Sequence, residues 1–198
     1  MLITEQCDSP GCYGTSFKSA TFNIMSTAKE RRYINAALDS YREKLDTITD
    51  EQFTDTPPGG GWSYAEVYSH ILQATLGSSI ALERCTHGSC PPTKAGVTWQ
   101  GRILLLFGRF PKMAAPAVVN EKMPADKITK EDAKNLIIKC RKRVEATAPL
   151  IDASSAASRY KHPRLGMLNA RQWFRFIRIH LEHHLKQLER IKNKLSQA

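Results

Sequence analysis

His180 and His184 stand four residues apart in the stretch Trp173-Phe-Arg-Phe-Ile-Arg-Ile-His-Leu-Glu-His-His-Leu-Lys-Gln-Leu-Glu-Arg-Ile191, which reads as one uninterrupted helix. Four residues is just over one helical turn, so both imidazoles project from one face, one above the other. Each can offer one ring nitrogen to a shared ion. Such a pair is half of a tetrahedral site, and a histidine from another helix could supply a third donor. The fourth position would then stay open, as a catalytic metal requires. His70, isolated far upstream, is the candidate third ligand. An ion held by neutral imidazoles keeps its double charge and acts as a Lewis acid. Zinc lowers the pKa of a bound water to about 7. A thiol taken up in its place would be activated as a thiolate.

Hydrolysis also needs a base. Glu66, four residues before His70, and Tyr68 are the candidates, although Glu66 has a capping role open to it as well. Tyr64, Tyr68 and Gln187 could orient a ligand or a substrate, and packing alone would also account for the tyrosines. His162 precedes Pro163 and therefore lies in an extended or turn conformation, which suits a loop residue better than a fourth ligand. His183 is rotated about 100° from His184 and is expected in solvent, with His87 in a loop. Arg164, Arg171 and Arg175 are either solvated surface charge or an attraction for an anionic substrate.

The elements that must position these groups are helices. From Ala28, residues Tyr33, Ile34, Ala37, Leu38, Tyr41, Leu45 and Ile48 recur at steps that make an apolar stripe. Pro57-Pro-Gly-Gly-Gly61 breaks it, and Ser63-Tyr-Ala-Glu66 has the form of a capping box that starts a second helix reaching as far as Arg84. Val67, His70, Ile71 and Ala74 share its inner face. Thr98–Phe110 predicts a short extra helix, with a buried strand over Ile103–Phe107 as the alternative. A loop follows around Pro111, Pro116 and Pro124. Thr129 caps a third long helix carrying Ala133, Leu136, Ile137, Cys140 and Val144, which ends before Pro149. Asn169 and Gln172 form the capping box of the last one. No convincing strand pattern is present, so the expected fold is an all-α four-helix bundle with a short extra helix between the second and third long helices. Spacing alone does not show which helices face each other.

With 198 residues the chain suits one domain. Residues 1–24 are weakly patterned and expected as a loose tail ahead of a domain over 25–198. They lack the basic start and apolar run of a secretory signal. No apolar run approaches the roughly 20 residues that cross a bilayer. Five cysteines, an odd number, fit free thiols in a reducing, cytoplasmic setting. Cys7 and Cys12 fall in the tail, and Cys140 suits a core. Cys85-Thr-His-Gly-Ser-Cys90 has no second metal-binding pair and is expected as a solvent-facing loop. The net charge of +10 is uneven: residues 1–101 hold 8 basic and 11 acidic side chains, residues 102–198 hold 21 and 8. A nucleic-acid-binding module would show that asymmetry, and so would several solvated helix faces.

Trp62-Ser-Tyr-Ala-Glu-Val-Tyr-Ser-His70, followed by His162-Pro-Arg-Leu-Gly166 and Asn169 to Gln187 with both helical histidines, resembles the DinB/YfiT-like superfamily over about residues 28–195. The resemblance implies an up-down-down-up bundle. It also implies a divalent ion (zinc, nickel or manganese) held by His70, His180 and His184. The family includes metal-dependent hydrolases and thiol S-transferases, so the implied activity is one of these, on a small-molecule substrate and with a low-molecular-weight thiol as cosubstrate in the second case. A homodimer is compatible with it, whereas neither a membrane nor nucleic acid is an expected partner. The rival readings are a non-catalytic basic module that binds nucleic acid, and a metal that serves only to hold the bundle together.

Overall fold

The computed structural model describes residues 26–91, 93–110 and 125–197. The expected tail, Cys7, Cys12 and the loop around Pro111, Pro116 and Pro124 lie outside these. Six helices are described: α1 (Thr27–Thr47), α2 (Asp50–Thr54), α3 (Tyr64–Thr86), α4 (Trp99–Phe107), α5 (Lys130–Thr147) and α6 (Ala170–Leu195). Local chemistry explains where they begin. The hydroxyls of Ser63 and Thr129 and the side-chain oxygen of Asn169 each accept from the N3 backbone N–H, while the N3 side chains of Glu66, Asp132 and Gln172 return the bond to the cap N–H. α4 is a helix, not a strand: Thr98 caps it and Gly108, at φ 63°, ends it in the left-handed conformation.

Side-chain pairs give the helix directions. Glu30 pairs with Arg178, Tyr41 donates to the Leu181 carbonyl and Lys44 pairs with Glu189, so α1 and α6 run parallel. Arg31 pairs with Glu145, Asp39 with Arg141, and Lys130 donates to the Ile48 carbonyl, so α5 runs against α1. The Cys140 thiol lies 3.4 Å from the Leu72 carbonyl and Arg143 pairs with Glu83, so α5 runs along α3. The order is therefore up-down-down-up. Ile34, Leu38, Tyr41, Tyr68, Leu72, Cys140, Val144, Ile177 and Leu181 fill the centre, all at most 1% exposed.

Four details depart from the expectations. Tyr33 is 45% exposed, because Ile34, Ala37, Leu38 and Tyr41 set the inner face and leave Tyr33 at its edge. The short α2 continues the chain beyond α1. An antiparallel hairpin, β1 (Arg159–His162) and β2 (Gly166–Asn169), precedes α6. Finally, Cys85 and Cys90 turn inward with their sulfurs 4.0 Å apart, the Cys85 thiol facing the Leu168 carbonyl of β2, while His87 stays in solvent. Burial pushes the Cys85 thiol up to about 12, so it is a packed thiol in its protonated form.

The hairpin also holds the segment before α4. The N–H of Thr98 donates to the Leu165 carbonyl and that of Met167 to the Gly96 carbonyl. Gly166 has φ 85°, and a Cβ there would come within 2.6 Å of the Gly96 oxygen, so both the turn and the close crossing require glycine.

Candidate metal centre

α3 and α6 pack antiparallel, and their facing sides bring the three predicted histidines together. One ligating nitrogen each from His70, His180 and His184 lies within 4.8 Å of the others. The Nε2 atoms of His180 and His184 are 3.1 Å apart. Two imidazole nitrogens on one tetrahedral zinc would lie roughly 3.3 Å apart, given bonds of about 2.0–2.1 Å. The spacing of the helical pair thus suits a shared ion. No carboxylate completes the cluster among the described residues, leaving an all-imidazole donor set.

Hydrogen bonding selects the ligating nitrogen of His184. His184 Nδ1 lies 2.7 Å from Oε1 of Gln187, an oxygen that can only accept. Nδ1 therefore carries the proton, and the Nε2 lone pair points at the cluster. Gln187 is three residues beyond His184 and one turn along the same face. Aromatic rings complete the surroundings. Phe176, one turn before His180, stacks on it at 5.2 Å and 28°; Trp62 packs against His70 at 5.0 Å; Phe110 lies 5.9 Å from His180. Their roles went unread in the sequence, although Phe176, His180 and His184 stand at i, i+4 and i+8.

This setting keeps the imidazoles unprotonated. Burial lowers His70. His180 is held well below the usual range by burial and then by His184 and His70. His184 is pushed down to about 3 by burial first, then by His70 and His183, against the opposing bond to Gln187. All three lone pairs are thus available at neutral pH, the state a metal ligand needs.

The other candidates are placed elsewhere. Glu66 Oε2 accepts from both the N–H and the hydroxyl of Ser63 at the start of α3. Tyr68 is fully buried between α1 and α3 and donates to the Tyr41 carbonyl at 2.8 Å. Tyr64 is also buried. His162 lies outside the cluster: its Nδ1 accepts from the N–H groups of Arg164 and Leu165, and its ring packs on Trp173 and Phe176, closing the hairpin turn. His183, expected in solvent, is half-buried with Phe110 4.6 Å away, because the chain after α4 folds over that side of α6. Arg171 pairs with Asp152, Arg175 donates to the Leu106 carbonyl, and Arg164 is exposed on the hairpin turn.

Comparison with known proteins follows the same lines. The model of the DinB superfamily matches residues 33–188. YfiT from Bacillus subtilis, described as a probable metal-dependent hydrolase with an unusual four-helix bundle topology, superposes with a TM-score of 0.57 at 12% identity, covering 88% of this chain and 91% of its own. TT2238, a four-helix bundle protein, gives 0.54 at 15% identity over 83% and 99%. At these identities the likeness is one of fold. No curated protein matches. The family match spans most of the bundle, including all three clustered histidines, and the chain belongs to the DinB superfamily.

Proposed function

We propose that this protein is a metal-dependent enzyme, a hydrolase or thiol S-transferase acting on a small molecule, with a divalent ion held by His70, His180 and His184. The observation that carries it is the convergence of these three imidazoles from two helices, with the tautomer of one set by Gln187. A bound ion would supply Lewis acidity toward a water or a thiol, and a neutral donor set leaves its charge undiminished. Zinc, nickel and manganese all remain candidates. The chain's own contribution is positional. Gln187 orients His184, Phe176 holds the plane of His180, and Trp62 and Phe110 pack beside His70 and His180. With Glu66 committed to its cap and Tyr68 to Tyr41, we assign neither a proton-transfer role.

The test is elemental analysis of the purified protein beside a His70→Ala/His180→Ala variant. About one equivalent of metal in the first and a large loss in the second is expected; negligible metal in both would sink the proposal. If chelation melts the fold and hydrolase and thiol-transfer substrates all stay unturned, the ion is structural only. The nucleic-acid reading is weakened by pairing: Arg31, Lys130, Arg141 and Arg143 each face a carboxylate.

A further inference from the structure

α4 is an amphipathic helix turned the wrong way out. Its buried side is slight, Gly101 and Leu104, while Trp99 is 68% exposed, Phe107 63%, Leu106 45% and Ile103 39%. These four share an arc of about 100° around the helix. Large side chains exposed singly are ordinary, but a contiguous set with an aromatic at each end marks a binding surface.

The chain around this arc carries only basic charges, and the nearest carboxylates, Glu30 and Glu182, are taken up by Arg178. Residues 84–120 contain no Asp or Glu, and neither do residues 153–181, which form the hairpin and the first half of α6. The two stretches meet here: Thr98 bonds to the backbone of Arg164 and Leu165, and Arg175 bonds to the Leu106 carbonyl. Arg102 borders the apolar arc, Arg109 follows the helix, and Arg164 lies at its start, all three exposed. A second copy of the chain docked by a twofold axis on this face would set arginines against arginines, which disfavours a symmetric dimer. The complementary partner is anionic.

Shape separates the anionic partners. The apolar residues stand on the convex outer side of a helix, so they would have to enter a partner and cannot enclose one. A protein partner would need a matching groove, whereas lipid headgroups and acyl chains part around such side chains. Ile103 and Leu106 lie between the aromatic ends, and aliphatic groups gain from acyl chains what they could not gain by stacking on bases.

We propose that α4 is a peripheral membrane anchor that lies flat on an anionic bilayer, with Trp99, Ile103, Leu106 and Phe107 in the interface and Arg102, Arg109 and Arg164 on the headgroups. The sequence reading expected no membrane partner because no segment could span one, and no described helix is long and apolar enough to do so. A helix lying in the interface needs no such length. The anchor adjoins the histidine cluster, since Phe110, three residues beyond α4, packs against both His180 and His183.

Tryptophan fluorescence of the full chain provides the test. Trp62 and Trp173 are 7% and 4% exposed, so Trp99 is the one indole in a position to change environment. Mixed phosphatidylcholine–phosphatidylserine vesicles should shift its emission to the blue and co-sediment the protein, less so as salt is added, with pure phosphatidylcholine giving far weaker binding. Trp99→Phe should keep co-sedimentation and abolish the shift. Trp99→Ser/Phe107→Ser should lower vesicle affinity roughly tenfold or more, and Arg102→Glu/Arg109→Glu should remove the preference for phosphatidylserine. All these sites are exposed, so unchanged circular dichroism and melting are expected and would confirm intact folds. Three results would each overturn the proposal: no co-sedimentation with the mixed vesicles at low salt, binding undiminished in the Trp99→Ser/Phe107→Ser variant, or a single-stranded oligonucleotide bound through these same residues in place of vesicles.

Discussion

Replacing Gln187 with leucine should weaken metal binding without unfolding the protein. His184 is 6% exposed, and its Nδ1–H has Gln187 Oε1 as acceptor at 2.7 Å. Leucine offers no acceptor, and a buried unpaired N–H costs about 1–3 kcal/mol. The imidazole escapes that cost by moving its proton to Nε2, and so gives up the lone pair that faces the cluster. Either way the ligand is penalised by an amount in line with known outer partners of metal-bound histidines, about 10–100-fold in affinity, or roughly 1.4–2.8 kcal/mol. Gln187→Glu keeps the acceptor and makes it more basic, so affinity should be retained or rise. Titrating metal-free protein against a competing chromophoric chelator gives the Kd of each variant, with His184→Ala as the reference for a lost ligand. If Gln187→Leu binds metal within about twofold of the parent while His184→Ala fails to bind, and both are folded, then Gln187 does not set the tautomer.

Three further outcomes are expected. Tyr68→Phe should lose about 1 kcal/mol of stability in urea denaturation, the value of one buried hydrogen bond, and leave metal affinity unchanged. Glu66→Gln should preserve both stability and turnover of whatever substrate is found, since glutamine also completes a capping box; a collapse of turnover alone would make Glu66 the base. His162 is pushed down to about 4 by burial and then by Arg164, so the unfolded chain, near the ordinary 6.5, takes up its proton first. Its contribution is therefore complete above about 6.5, is lost as pH falls toward about 4, and levels off below. A His162→Gln variant should show a shallower fall of Tm across that window than the parent.

Much of the fold was legible because its signals are local. Ser63/Glu66, Thr129/Asp132 and Asn169/Gln172 each satisfy helix N-termini within four residues of chain, and the structure uses each of them. The i, i+4 histidines needed only the pitch of α6. What stayed illegible depends on contacts between distant segments. β1 exposes Tyr160 and Lys161 and buries little, so it lacks the alternation that marks a strand, and its pairing with β2 completes it. Cys85 and Cys90 point inward because β2 covers them. His183 looked solvated from its angle on α6, and Phe110 of another segment covers it. His70 is the intermediate case: its inner face could be read from α3, and its pairing with α6 rested on resemblance until the antiparallel packing was seen.

The crossing of Gly96 over Gly166 separates two parts of this molecule. The histidines are fixed by the contact of α3 with α6, whereas the approach to α4 hangs on Thr98 and Met167 bonding across a glycine with no room for a side chain. The placement of α4 is thus set apart from that of the imidazoles, which α3 and α6 alone carry. A change in how this one crossing is held would re-aim α4 without displacing the ligands at the centre of the bundle.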